Sequence, residues 1–416
     1  MKEESVSVKQ GKKALFYLIV QYQTDKIEAE RTIQMGNGNR GNTMIIKNGL
    51  VFTPEGKFEK KDLYVEGEYV AKETTDNKEV EAEGCYVIPG LVDIHFHGCV
   101  RHDMCDGTEE SIQALADYEA ANGVLAICPA TMTIPEEELF QAMKAAKGHK
   151  NGKGADLVGI NMEGPFISPA KKGAQDARNI LPCNVEICDR FLKASEGLVK
   201  FIGIAPEESE HAAEFIREVH ERVNVSLAHT NADYDTAMEA CRAGANHAVH
   251  LYNAMPAFTH RAPGVVGAVF DSKDVMAEII CDGIHIHPSV VRATFQMMGA
   301  DRMILISDSM RATGMPDGQY TLGGLDVKVV GRLATLVSDG AIAGSATNLM
   351  DCMRTVVKKM ELPLETAVAC ATINPARSLG VEEQYGSLEA GKKAHVVLLD
   401  QDLELKAVIK DGVKIR

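Results

Sequence analysis

The chain has 416 residues, 45% hydrophobic and 25% charged, the make-up of a folded globular protein rather than a disordered or fibrous one. That length exceeds one small domain and suits one large catalytic domain with a smaller companion. Against 44 Lys and Arg stand 59 Asp and Glu, a formal charge of -15, so the mean field repels nucleic acid and anionic membranes, and an anionic substrate must be held by a local pocket.

Residues 1–43 are polar and end in the loop-like GNGNRGNT; they read as an N-terminal extension outside the fold. Lys12-Lys13 followed by Ala14 to Val20 has the order of a signal-peptide core, but the stretch is short and runs into Gln21-Tyr22-Gln23 without a small-residue cleavage site. No apolar run reaches the roughly 20 residues of a membrane span. The 10 cysteines are scattered without a CxxC pair, which suits reduced thiols in a cytoplasmic protein.

From 44 to 90 the pattern is short and strand-like: IIKNGLVF, DLYVEGEYV, CYVIPG. The last segment, 386–416, returns to it with AHVVLLD, ELKAVIK and DGVKIR. Together they predict one small β-sandwich built from both chain ends. Between 91 and 385, helix-length amphipathic segments separate eight apolar runs: LVDIHFHG, GVLAICPAT, DLVGINMEGP, VKFIGIAPE, NVSLAHT, HAVHLYNAM, AEIICDGIHIHP and MILISDS. Eight strands alternating with helices in under 300 residues predict an α/β architecture, a (β/α)8 barrel. A doubly wound open sheet is less favoured, because no Gly-rich phosphate loop follows the first strand.

In such a barrel the reactive side chains sit at the C-terminal ends of the strands. His95 and His97, at i and i+2, point to the same side of the first strand and can share one metal. Glu163 ends the third run, His229 the fifth, His250 the sixth and Asp308 the eighth. A lone strand-end histidine is ordinarily a hydrogen-bonded core residue; six metal-competent side chains ending runs on five strands are not accounted for that way. Mixed imidazole and carboxylate donors favour zinc or iron over calcium or magnesium, with one or two divalent ions per subunit. The chemistry implied is metal-assisted hydrolysis. By contrast His102, His149, His211, His220 and His395 lie in polar or helical contexts and read as solvated surface, while His247, His260 and His287 are weaker candidates for substrate contact.

HFHG, strand-end histidines on two later strands and a strand-end aspartate resemble the amidohydrolase superfamily. EGPFIS at 163–168, AHTNA at 228–232, HLYNAMPAFTHRAPG at 250–264, DGIH at 282–285, SDSM at 307–310 and IAGSA at 342–346 resemble more closely its family of N-acetylglucosamine-6-phosphate deacetylases, over about 44–416. The resemblance implies that Glu163, His229 and His250 hold the main metal and that Asp308 is the catalytic acid/base. It implies that Ala174, Gln175, Asp282, Gly283, Ile284 and His285 line the sugar pocket and that Ile342, Ala343 and Gly344 close over the substrate. Arg261, with Asn253 and Ala254, would bind the phosphate, on its own subunit or on the neighbouring one of a homodimer. The substrate implied is a small sugar phosphate.

These roles agree with elementary chemistry. Amide hydrolysis needs an activated water, charge stabilisation on the carbonyl oxygen and a proton for the amine. Asp308 can take the water proton and hand it on. The planar fork of Arg261 matches a phosphate. The chain departs from some relatives at Gln175, where they carry a histidine thought to polarise the acetyl carbonyl; those relatives can lack the HxH pair and use one metal. Retention of His95 and His97 here suggests a second metal in that role, with Glu163 bridging. Rival readings are the galactosamine epimer as substrate, a cyclic amidase, disfavoured by the lack of a strand-end lysine, and a non-catalytic scaffold, disfavoured because every candidate ligand is retained.

Overall fold

The computed structural model describes residues 43–74 and 78–416; the expected extension up to residue 42, with its signal-like stretch, lies outside the described residues. All eight apolar runs form parallel strands. They are Leu91–Asp93, Val124–Ile127 with Ala130–Thr131, Asp156–Leu157 with Ile160–Phe166, Val199–Ile204, Asn224–Leu227, His247–Ala248, Met276–Ile280 and Met303–Ile306. Each pairs with the next. The ring closes between first and last: Asp308 N donates to His95 O (3.0 Å) and His97 N to Ser309 O (2.7 Å). The architecture is a (β/α)8 barrel. Strands such as Val124–Ile127 and Met303–Ile306 are buried at every residue, as expected where side chains fill the barrel on one face and helices cover the other.

The helices around it start where the sequence places side-chain caps. Thr108 accepts from Ser111 N ahead of Glu109–Ala121, Asn184 from Ile187 N ahead of Val185–Ser195, and Asn348 from Asp351 N ahead of Leu349–Lys358. Each cap satisfies a backbone donor that the first helical turn leaves free.

The two chain ends share one eight-stranded sheet, in which Tyr86–Pro89 pairs with Val396–Leu399 antiparallel. The sheet rolls back on itself, because Val70 N donates to Lys392 O (2.9 Å) and Ala394 N to Glu68 O (2.8 Å). Its interior is a separate apolar cluster that includes Ile46, Val65, Val87, Val396 and Ile409.

A three-stranded antiparallel sheet, Gly318–Leu322, Leu325–Val330 and Leu333–Leu336, follows the last barrel strand. It was not expected from the sequence, although Gly323-Gly324 and Gly331, all at positive φ, are the residues a tight hairpin turn demands. This insert brings Leu322 to the mouth of the barrel.

Candidate active site

At the C-terminal mouth lies a cavity of about 160 Å³ lined by His97, Glu163, His229, His250 and Asp308, among others. The strand ends that carry its reactive residues turn sharply. His229, His250 and Asp308 have φ of 45°, 29° and 48°, a left-handed conformation that is uncommon for residues other than glycine and swings the side chain off the line of the strand. Glycine clears space around them. A Cβ on Gly164 would lie 2.1 Å from Thr133 Oγ1, so only glycine fits directly after Glu163.

The donors converge on Glu163. Its Oε1 lies 2.9 Å from His250 Nε2, 3.0 Å from His229 Nε2 and 3.4 Å from His95 Nε2, while Oε2 lies 3.5 Å from His97 Nε2. Asp308 Oδ1 sits 3.3 Å from His97 Nε2 and 3.9 Å from His95 Nε2. Two overlapping groups, His95–His97–Asp308 and His95–Glu163–His250, therefore each have the spacing to hold an ion.

Supporting contacts fix the rings. His229 Nδ1 meets Lys171 O at 2.9 Å, His250 Nδ1 meets Asn253 O at 3.2 Å, and His95 Nδ1 meets Glu278 Oε2 at 2.7 Å. In each case the Nε2 atom is left to face Glu163, the arrangement of metal-ligating imidazoles whose other nitrogen is held. His95 Nε2 is buried without a hydrogen-bond partner.

The electrostatics describe a site that requires positive charge. Burial pushes Glu163 up, but His229, His250 and His95 outweigh it and hold the carboxyl well below the usual range. Asp308 is likewise held low by His97 and its neighbours against burial. Conversely, burial favours neutral His95 and His97, yet Glu278 and Glu163 raise the first well above its ordinary value, and Asp308 and Glu163 raise the second. Ionised carboxylates thus gather protons onto His95 and His97, the positions where a cation would replace them. An orphaned imidazole nitrogen, mixed N/O donors and excess negative charge fit a divalent ion.

Of the expected site residues, His97, Glu163, Ala174, Gln175, His229, His250, Asn253, Ala254, His285, Asp308, Ile342 and Gly344 line the cavity. His95 stands buried behind it. Asp282 does not line it but holds His285, with its Oδ2 2.8 Å from His285 Nδ1. Ala343 is buried, whereas Gly283 and Ile284, between Asp282 and His285, lie outside the lining. Arg261 is exposed and also outside the lining, because the chain between 256 and 262 runs along the surface. Gln175 donates to Glu163 Oε2 and accepts from Thr133 N at 2.6 Å, so both ends of its amide are engaged by the protein.

Several residues were not anticipated. Met132, Gly173 and Leu322 complete the lining. Glu278, fully buried, accepts from His95, from His247 Nε2 (2.9 Å) and from His250 N (3.2 Å); its signal was a lone carboxylate inside the apolar run AEIIC. His247 consequently belongs to the barrel interior, and His260 and His287 are exposed. His395, expected at the surface, is buried, 3.2 Å from Asp411 and 3.8 Å from Asp156. It flanks the strand Val396–Leu399 where the sheet meets the barrel, and ionic partners there make burial tolerable.

Barrel, strand-end donors and sheet of both chain ends together define a hydrolase of the amidohydrolase type. The model of the amidohydrolase family matches residues 86–415, and the chain belongs to that family, whose members are metal-dependent. It is 35% identical over 375 residues to N-acetylglucosamine-6-phosphate deacetylase of Bacillus subtilis, covering 88% of this chain and 93% of that one. It is 32% identical to N-acetylgalactosamine-6-phosphate deacetylase of Escherichia coli O157:H7, covering 89% and 98%. Among solved structures, N-acetyl-D-glucosamine-6-phosphate deacetylase from Mycobacterium smegmatis in complex with N-acetyl-D-glucosamine-6-phosphate matches with a TM-score of 0.83 at 32% identity, covering 90% and 99%. Among the described residues, no helix is long and apolar enough to cross a membrane.

Proposed function

We propose that this chain hydrolyses the acetamide of N-acetyl-D-glucosamine 6-phosphate, releasing D-glucosamine 6-phosphate and acetate in amino-sugar catabolism. One observation carries the reading: four strand-end histidines converge on Glu163, with Asp308 against His97 beside them, in a chain 35% identical to a deacetylase of that substrate.

Glu163, His229 and His250 would hold one divalent ion, zinc or iron, and His95 and His97 would hold a second. What such ions supply when bound is Lewis acidity, which lowers the pKa of a water to about 7 and polarises the acetyl carbonyl. Asp308 Oδ1 accepts the proton of the attacking water and returns it to the departing amine. Gln175 spends its N–H on Glu163, so it orients that carboxylate rather than the acetyl carbonyl. His285, held by Asp282, faces the sugar together with Gly173 and Ala174, and Ile342 and Gly344 close the rim. The Asn253–Ala254 segment receives the phosphate.

Arg261 lies outside its own subunit's cavity, so its contact with phosphate requires a homodimer in which the partner subunit's Arg261 completes the site. Beside it Phe258 is 44% exposed, an apolar side chain suited to that interface. The enzyme of this reading is cytoplasmic. The second reading, the galactosamine epimer, is supported by the 32% identity to a deacetylase of that sugar phosphate.

Acetate release from the two phosphorylated epimers and from unphosphorylated N-acetylglucosamine tests the assignment, for wild type and Asp308→Asn. Turnover of the glucosamine compound, lost in the variant, is expected. Preference for the galactosamine compound would transfer the assignment to the epimer, and no acetate from any sugar with metal-replete protein would end it.

A further inference from the structure

The cavity that receives a phosphate dianion in this reading has no lysine or arginine among its lining residues. Its floor is formed by Glu163 and Asp308, in a chain of charge -15. Arg261 reaches it only from another subunit, which leaves open what fixed cation each chain provides for itself. Lys171 has the required placement. It ends the short turn Pro169–Lys171, two residues before Gly173, Ala174 and Gln175, which form one wall; between them Lys172 spends its Nζ on Gly173 O (3.3 Å) and Gln175 O (3.4 Å). The Lys171 ammonium crosses to the opposite wall, where Nζ donates to Met255 O at 3.1 Å, next to Asn253 and Ala254. Lys171 is half-buried, and among the described residues it has no carboxylate within ion-pairing distance. An ammonium has three donors, and only one is committed. Lys171 is not itself among the lining residues; a half-buried cation without a counter-ion, where the segments that carry the two walls meet, is placed to meet an anionic group that extends past the lining.

The same residue is tied to the reactive centre. His229 Nδ1 meets Lys171 O at 2.9 Å, Ser168 N donates to His229 O at 2.9 Å, and Thr230 N donates to Ala254 O at 3.1 Å. The wall carrying Lys171, the wall carrying Asn253 and Ala254, and His229 are therefore one hydrogen-bonded unit.

We propose that Lys171 is the chain's own cation for the substrate phosphate, a specificity-determining residue that selects 6-phosphorylated over unphosphorylated N-acetyl sugars. The inference rests on the proposed deacetylase reading. Its ammonium keeps the Met255 carbonyl and turns a free N–H towards the phosphate oxygens, while its backbone carbonyl continues to hold His229. The side chain can thus be changed without removing the contact to the imidazole.

The test compares full-length wild type, Lys171→Met and Lys171→Arg as metal-loaded enzymes, on N-acetylglucosamine 6-phosphate and on N-acetylglucosamine, at low and high ionic strength. In Lys171→Met, kcat/KM for the phosphorylated sugar is expected to fall about tenfold or more, through KM, consistent with loss of a charge-assisted hydrogen bond. The unphosphorylated sugar should change less than about twofold by the same reasoning. Lys171→Arg should recover most of the loss, and the salt dependence of KM should be shallower in the methionine variant than in wild type. Equal losses on both sugars with lowered metal content would make Lys171 a mere clip between loops and overturn the proposal, as would an unchanged ratio between sugars. Failure of wild type to hydrolyse the phosphorylated sugar would instead overturn the deacetylase reading itself.

Discussion

Replacing Glu278 by glutamine perturbs the centre from below without touching the cavity. The carboxylate is fully buried and accepts from two imidazoles, at 2.7 Å from His95 and 2.9 Å from His247, and from His250 N at 3.2 Å. Burial pushes its pKa up, but the charges and hydrogen bonds of His95 and His247 more than reverse that, so it is ionised. Glutamine has the same shape but only one acceptor oxygen, and its NH2 must face one of the two imidazoles. One charge-assisted hydrogen bond, about 1.5–3 kcal/mol, is lost. At 1.4 kcal/mol per factor of ten, that is roughly a 10–100-fold loss of affinity for the ion beside His95, the range found when partners of ligating histidines are removed. The assay is zinc titration against a competing chelator, with metal content counted on purified protein. Excess metal should restore most of the lost deacetylase activity, because His95 and Asp308 remain in place. Wild-type zinc affinity in Glu278→Gln would refute the idea that this carboxylate orients the ligand and raises its basicity.

Asp308→Asn should lower kcat by about 10²–10⁴-fold while metal content stays that of wild type; activity within a factor of a few of wild type would remove Asp308 from proton transfer. His95→Ala/His97→Ala should reduce the metal count per chain from two to one, and a count of one in wild type with full activity in the variant would sink the two-ion arrangement. Neither Arg261→Ala nor Asp308→Asn should turn over phosphorylated substrate efficiently alone, yet mixed subunits should regain activity, since one kind of site in the hybrid is intact; no recovery after verified subunit exchange would place Arg261 outside its partner's site. Where the sheet meets the barrel, burial pushes Asp411 up, but His395, Lys393 and Lys410 hold it below its ordinary 3.8. A depressed carboxyl stabilises the fold above the unfolded value, and that contribution is lost as pH falls through the folded value. Asp411→Asn should therefore flatten the fall in melting temperature below about pH 4, and superimposable acid limbs would contradict it.

The barrel was legible because its strands are buried on both faces and read as unbroken apolar runs, and because each reactive residue terminates such a run. His95 and His97 needed only the two-residue period of a strand, and Glu163, His229, His250 and Asp308 only their positions. What stayed hidden arises from tertiary closure. Gln175 meets Glu163 only once the 168–175 loop folds over the mouth. Leu322 reaches the cavity on an inserted hairpin whose partners are local, so no periodicity points to the barrel mouth. His395 looked like surface because its sequence neighbours Lys392 and Lys393 are polar, whereas its burial depends on Asp411 and Asp156, which lie far off in sequence on one side or the other. Glu278 was the readable miss: a carboxylate inside an apolar strand must have partners, and the histidines were the ones available.

The left-handed backbones of His229, His250 and Asp308 link fold to chemistry. Each such residue costs of order 1–3 kcal/mol and persists only where its surroundings over-determine it. The barrel supplies that determination. Asp308 N donates to His95 O and Ser345 N to Asp308 O; Ser168 N donates to His229 O; Asn253 N donates to His250 O. Every strained residue is thus hydrogen-bonded into a neighbouring strand or loop that carries another part of the site. An extended strand end would alternate its side chains between the barrel interior and the helices. The left-handed turn instead aims successive ends at one point above the barrel axis, around Glu163. Convergence of donors from five strands is therefore a product of closing the barrel, and loosening that closure at Asp308 and His95 would separate Asp308, the proposed proton acceptor, from the proposed metal ligands.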